Sequence, residues 1–157
     1  MPTRATPYHA VVISPVGMLG IVADDALVCI DFLDPKEPAR RPATPLARDV
    51  VAQLTAYFHD PAFAFTLPLS LVGTAYQQRV WRAMRRIPTG KVLSYGDLAA
   101  RIHSGPRAVG GACRANPVPI IVPCHRVVAS TGVGGYTGGR VPGALHIKQW
   151  LLQHEAG

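Results

Sequence analysis

The chain has 157 residues, is 48% hydrophobic and 16% charged, and carries 16 Lys and Arg against 9 Asp and Glu, a formal charge of +7 with a pI near 9.8. That hydrophobic content excludes an intrinsically disordered chain, and the length allows a buried core in one domain or two small ones. No apolar stretch approaches the length needed to cross a bilayer, the polar stretch from Met1 to His9 has no apolar secretory core, and three cysteines (Cys29, Cys113, Cys124) make an odd count. The expected location is therefore the cytoplasm, with reduced thiols. The positive excess favours a polyanionic partner, because each neutralised phosphate releases condensed counterions.

Taken in chain order, residues 8–32 read as a β-meander: apolar runs at 10–13, 18–23 and 27–32 are separated by turns at Ser14-Pro15-Val16-Gly17 and Asp24-Asp25. A Pro- and charge-rich loop follows. Thr44 and Pro45 then open a helix as N-cap and first helical residue, with apolar positions at Leu46, Val50, Leu54, Tyr57 and Phe58. Residues 65–72 read as an extended link, so the expected domains are 1–68 and 69–157.

Thr74 and Gln77 form a capping-box pattern at the start of a second helix, whose apolar face runs through Tyr76, Val80, Met84 and Ile87 until Pro88 and Gly90 end it. Ser94 and Asp97 repeat that pattern before a short helix reaching Ile102. After the turn Ser104-Gly105-Pro106, a further helix runs to Arg114, with Asn116 placed as a C-cap and Pro117 as a stop. Two short helices across a Gly-containing turn meet the requirement of a helix-turn-helix, although an ordinary helical corner has the same pattern. Ala108, Gly111, Ala112 and Ala115 share one face of the second of these helices. Its narrowness, the helix-weakening Gly110-Gly111 pair and the flanking Arg107 and Arg114 fit close approach of a polyanion.

The apolar run Ile120-Ile121-Val122 leads into Pro123-Cys124-His125-Arg126, and Val127-Val128 resumes a strand-like pattern. A cysteine at such a bend, beside cationic side chains, is placed to react as a thiolate. A small buried packing cysteine is the competing reading. Residues 133–139 form a Gly-rich loop, and a terminal helix has a face including Ile147, Trp150 and Leu151. Cys29 with the scattered His9 and His59 has no ligand spacing, and no metal or other cofactor is expected.

In order and spacing, the segments Gly73–Trp81, Ile87–Gly90, Ser94–Ala99, Arg107–Ala112, Asn116–Pro119, the Cys124 tetrapeptide, Gly135–Gly139 and Trp150–Glu155 closely resemble the O6-alkylguanine-DNA alkyltransferases. The resemblance spans Gly73 to Glu155. It implies a fold class of a small α/β N-terminal unit, an antiparallel sheet plus helix of ribonuclease-H-like kind, then a mostly α C-terminal domain with a helix-turn-helix and short strands. The implied activity is direct-reversal DNA repair: the alkyl group of O6-alkylguanine, or of O4-alkylthymine, moves irreversibly to Cys124 in a single turnover after the base is flipped into a pocket.

The same resemblance implies site residues. Cys124 is the nucleophile; His125 takes its proton through a water, Glu155 orients His125, and Asn116 braces the turn. Tyr95, the Val127 backbone, Tyr136 and Thr137 contact the base. Arg107, as the arginine finger, with Ala108, Gly111, Arg114 and Tyr95, contacts the minor groove of double-stranded DNA. The implied protein is a monomer in solution able to cluster on DNA, without membrane contact, and nucleoid-associated when DNA-bound. The segment 140–144 is slightly longer, and the Ser104–Pro106 turn shorter, than the family pattern. Two readings from other classes remain: a lesion sensor without transfer activity, which the presence of Cys124 disfavours, and a cysteine hydrolase, for which adjacent Cys124 and His125 are poorly arranged.

Overall fold

A computed structural model describes residues 7–132, 134 and 143–157. The backbone divides into two compact units, Met1–Val72 and Gly73–Gly157.

In the first unit β1 (Ala10–Ser14), β2 (Gly17–Ala23) and β3 (Leu27–Leu33) form an antiparallel sheet in the order β1-β2-β3. The Ser14–Gly17 turn uses a positive φ of 103° at Gly17, the left-handed region that glycine enters without a Cβ penalty. Helix α1 (Pro45–His59) covers the sheet, burying Ala47, Val50, Leu54 and Tyr57 against Leu19, Ile21 and Ile30 of the strands. Thr44 begins this helix in two ways: its Oγ1 accepts the Ala47 N–H at 3.0 Å and donates to the Ala23 carbonyl at 2.6 Å. The cap is thus also the tie between α1 and β2. The expected division after residue 68 falls inside a hydrogen-bonded segment, since Leu27 N–H donates to Pro68 and Ser70 N–H donates back to Leu27.

The second unit contains α2 (Ala75–Arg85), β4 (Leu93–Ser94), α3 (Tyr95–Arg101), α4 (Pro106–Arg114), β5 (Val127–Val128) and α5 (Ala144–Ala156). The capping box on α2 is complete: Thr74 Oγ1 accepts from Gln77 N–H, and Gln77 Oε1 accepts from Thr74 N–H. At α3 only half of the expected pattern forms. Ser94 Oγ accepts from Asp97 N–H, while a reciprocal bond from the shorter Asp97 side chain is absent. The buried face of α2 is Val80, Trp81 and Met84, followed by Ile87. Trp81, outside the expected stripe, is the largest fully buried side chain, and its Nε1 donates to the Ala112 carbonyl of α4 at 2.9 Å.

Residues Ile102 to Gly105 join α3 to α4, with His103 at φ 55° in the turn. Strands β4 and β5 pair in parallel, Leu93 opposite Val127 and Ser94 opposite Val128. This two-residue ladder sets Tyr95, the first residue of α3, beside the chain that leaves Cys124. Replacing Thr44 by Ala removes both the cap and the tie to Ala23. The expected cost is about 1–2 kcal/mol, read as a lower urea midpoint with an unchanged m-value.

Candidate active site

Cys124 sits in a series of tight turns rather than between two extended segments. Asn116 forms the first: its Oδ1 accepts from Val118 N–H at 3.0 Å while its Nδ2 donates to the Val122 carbonyl at 2.8 Å. It therefore clamps both ends of the 118–122 segment, and Ala115 rather than Asn116 caps α4. The expected apolar strand at Ile120–Val122 is instead a buried turn closed by Val122 N–H to Val118 O. Ile120 adopts φ 77° there, a conformation that costs a β-branched residue about 1–3 kcal/mol. Pro123, at φ −82° and ψ 66°, makes an inverse γ-turn whose closing bond runs from Cys124 N–H to Val122 O. Cys124–Arg126 then forms one 3₁₀ turn leading into β5. Cys124 is 3% exposed.

His125 is fully buried, and its Nε2 lies 2.8 Å from Glu155 Oε2. Burial pushes its pKa below the ordinary 6.5, with the Glu155 hydrogen bond and charge opposing and Arg126 and Lys148 assisting. The contact is hence a charge-assisted hydrogen bond to a neutral ring. A carboxylate only accepts, so Nε2 carries the proton and Nδ1 is the free base. Among the described residues, Nδ1 is the buried side-chain nitrogen or oxygen without a hydrogen-bond partner.

The counter-charge for Glu155 comes from Arg126. Its Nε donates to Oε1 at 2.8 Å and Nη2 to Oε2 at 3.0 Å, while Nη1 and Nη2 reach the Ile87 carbonyl and Thr89 Oγ1. Glu155 lies within the last turn of α5. The buried stripe of that helix is Ala144, Lys148, Leu151 and Glu155, at spacings of four, three and four residues, with Ile147 and Trp150 only half-buried. Gly90 accepts the close pass of α5: a Cβ there would come within 3.3 Å of the Glu155 carbonyl, and its φ is 82°.

Lys148 is the site residue that sequence reasoning missed, as is the pairing of Arg126 with Glu155 rather than with the thiol. Lys148 is fully buried, its Nζ donating to the Val127 carbonyl at 2.7 Å and lying 5.7 Å from the centre of the Tyr95 ring. Burial lowers its pKa, and the negative charge potential of Cys124 and Cys113 opposes that. Its place on the Ala144–Leu151–Glu155 stripe was the available signal. A lysine on a terminal helix reads as solvated, and only packing reveals otherwise. The Val127 carbonyl retains a second lone pair for another donor.

Tyr95 is half-buried, and its pKa is pushed up to about 12, first by burial and then by Cys113 and Cys124, against Arg114. Cys113 packs with its Sγ 3.5 Å from Met84 Sδ and is likewise raised to about 12, mainly by burial, so its thiol stays protonated at neutral pH. On α4, Arg107, Ala108 and Arg114 are exposed and Gly111 is half-buried, but Ala112 faces the core. A Cβ on Gly110 or Gly111 would meet only the Arg114 guanidinium, at 3.6 or 3.9 Å. The protein's own packing therefore does not demand glycine there. Tyr136 and Thr137, and residues 140–142 of the longer segment, lie outside the described residues.

The first unit holds a cleft of about 200 Å³ between β1 and α1, lined by Ile13, Leu19, Val51, Leu54 and Phe58 among others, without a thiol or carboxylate. Among the described residues, no three His, Cys, Asp or Glu side chains gather as a metal site, and no helix is long and apolar enough to cross a membrane. Among the described residues, a thiol, a buried histidine and a buried carboxylate come together around Cys124.

Two outcomes test this geometry. The unfolded chain protonates His125 near pH 6.5 and the folded chain only at lower pH, so the unfolded state binds more protons between these values. Stability, followed by thermal unfolding, is expected to fall as pH drops below 6.5, and His125→Gln flattens this dependence. Glu155→Gln leaves Arg126 without its carboxylate, and a loss of about 3 kcal/mol in urea unfolding is expected.

Residues 75–157 match the profile of the family described as 6-O-methylguanine DNA methyltransferase, DNA binding domain. The constitutive methylated-DNA–protein-cysteine methyltransferase of Bacillus subtilis (strain 168) is 35% identical over 160 aligned residues, covering 94% of this chain and 94% of the relative. The Homo sapiens methylated-DNA–protein-cysteine methyltransferase is 45% identical over 114 residues, 66% of this chain and 53% of that protein. Among solved structures, Mycobacterium tuberculosis O6-methylguanine methyltransferase superposes with a TM-score of 0.80 at 35% identity, covering 94% of this chain and 92% of that one. The Mycobacterium tuberculosis protein called OGT, in complex with DNA, gives 0.79 at 36% identity, with 96% and 93% covered. With more than half of its length inside the family profile and nearly all of it aligned to full-length relatives, the chain belongs to the methylated-DNA–protein-cysteine methyltransferase family.

Proposed function

We propose that this chain repairs DNA by direct reversal, moving the alkyl group of O6-alkylguanine irreversibly to Cys124. The observation that carries the reading is the Cys124–Arg126 turn. There a buried thiol precedes a neutral histidine whose Nε2 is held by Glu155 and whose Nδ1 has no partner. A base of this kind has a defined task only if a proton must leave a neighbouring group.

The Cys124 proton passes to His125 Nδ1, directly or through a water, and Glu155 stabilises the imidazolium that forms. The thiolate attacks the alkyl carbon, an S–C bond forms as the C–O6 bond breaks, and the electron pair departs with guanine. Tyr95 remains a protonated phenol because its pKa is near 12, so it can donate a hydrogen bond to the flipped base. The departing guanine takes up one proton in place of the alkyl group, balancing the proton that His125 took from Cys124 and gives back, and the product is a thioether with no route back to thiol. Each molecule therefore acts once. Arg126 and Lys148 share the charge management: the first balances Glu155, the second offers a cation to the thiolate and pins the Val127 carbonyl.

The α3–α4 pair serves in this reading as a helix-turn-helix whose second helix enters the minor groove, with Arg107 filling the stack vacated by the flipped base. Charge distribution supports a DNA-contacting role for the second unit. Residues 73–157 contain eleven Lys and Arg against Asp97 and Glu155, whereas residues 1–72 contain five against seven acidic residues. The exposed Arg107–Ala108 end of α4 and its unobstructed Gly110-Gly111 backbone support close approach. A ribonuclease-H-like N-terminal unit, a monomeric state in solution and closure of the pocket by Tyr136 and Thr137 complete the proposal.

Incubation with a duplex carrying O6-methylguanine, then intact-mass spectrometry and peptide mapping, is expected to show one added methyl group on Cys124, saturating at one per protein. Cys124→Ala should abolish transfer and keep DNA affinity. An unchanged mass despite tight lesion binding would favour a sensor. The transfer rate is expected to hold its plateau down through pH 6.5 and decline only below, since protonating Nδ1 removes the base at a pH depressed from the ordinary histidine value.

A further inference from the structure

The second unit carries a basic surface that the transfer chemistry does not use. Arg79, Arg82, Arg85 and Arg86 of α2 and its C-cap are all exposed, and the sequence contains no acidic residue between Asp60 and Asp97. At 100° per residue, Arg79, Arg82 and Arg86 fall on the side of α2 turned away from the buried Val80 and Met84. They extend over roughly 10 Å of helix axis. Among the described residues, no carboxylate contacts Arg82, Arg85 or Arg86.

Like charges three and four residues apart on a helix repel. Part of the arrangement has a local explanation, because Arg82 and Arg85 stand in the last turn, where the helix dipole favours cations. Arg79 lies mid-helix and outside that explanation. Its Nη2 donates to the Ile102 carbonyl at 3.0 Å, and Tyr76 OH lies 2.7 Å from Ser104 Oγ. These two bonds fasten α2 to the turn that leads directly into Pro106 and Arg107. The arginines therefore continue from the N-terminal end of α4 along α2 as one strip of positive charge.

We propose that this strip binds the phosphodiester backbone of duplex DNA beyond the groove entered by α4, lengthening the contact without reading sequence. The proposal rests on α4 as the DNA-contacting helix. Duplex DNA presents one negative charge per ~1.7 Å of axis, so a strip of this length meets several phosphates. Arginine's planar fork suits a phosphate oxygen pair. The occupant is DNA because the surface offers cations without an apolar anchor, and because it adjoins the helix that already faces the polyanion.

The test is the salt dependence of binding to a lesion-free duplex long enough to pass both helices. Arg82→Gln together with Arg86→Gln is expected to reduce the slope of log Kobs against log salt by about 2, roughly one unit per phosphate contact. Arg82→Lys with Arg86→Lys should restore it, since the charge remains; a packing role would not be rescued in this way. Methyl transfer to Cys124 at saturating DNA and low salt should be unchanged in both variants. A wild-type slope in the Gln variant would overturn the proposal. Failure of the parent protein to bind DNA at all would instead defeat the reading of function beneath it.

Discussion

The Glu155 carboxylate is the interaction on which the second unit depends. It accepts from both Arg126 and His125, so one acidic group on α5 fixes two consecutive residues of the nucleophile turn. Arg126 extends the connection to the Ile87 carbonyl and Thr89, which lie just after α2. Three segments far apart in sequence thus converge on a single buried ion pair. A buried ion pair is weak evidence for stability, because desolvation offsets much of its attraction. Its value here is positional: it selects the histidine tautomer and leaves Nδ1 without a partner among the described residues, while burial keeps the ring neutral.

The nucleophile turn is held from its other side by Asn116. Its two hydrogen bonds close the segment that contains Ile120 in a left-handed conformation, a local cost that the surrounding packing sustains. Cys124 is therefore positioned by a clamp before it and an ion pair after it. Lys148 completes the enclosure, bringing a cation near the two thiols, the Tyr95 phenol and the His125 ring. A cation there favours a thiolate over a neutral thiol, and it acts against burial, which still holds the Cys113 thiol up at about 12.

Much of this was legible in the chain. Strand runs separated by Gly and Asp turns, Thr44 before Pro45, and the Thr74–Gln77 pair led to elements found close to the expected places, because caps and turns are decided by neighbours in sequence. Where the reading failed, long-range packing had overruled local pattern. Trp81, outside the expected stripe of α2, is buried and meets the Ala112 carbonyl. Ile120–Val122, strand-like by composition, became a turn because Asn116 captures the Val122 carbonyl. Ser94–Asp97 formed half a capping box, since aspartate is one methylene too short. On α5 the expected face keeps only Leu151, because packing buries Lys148, which is polar by identity, in place of Ile147 and Trp150.

The sequence by itself determined the order of the elements, the excess of positive charge and the motif that makes Cys124 the candidate nucleophile, all of which rest on residue identity and near-neighbour spacing. The tertiary structure alone decided which charges are buried and against whom. Glu155 and Lys148 are ordinary polar residues of a terminal helix until that helix packs beneath the nucleophile turn. At that point one orients His125 and the other faces the thiols. Burial converts the same side chains from solvated groups into an electrostatic site, because a charge removed from water must find its partner within the protein.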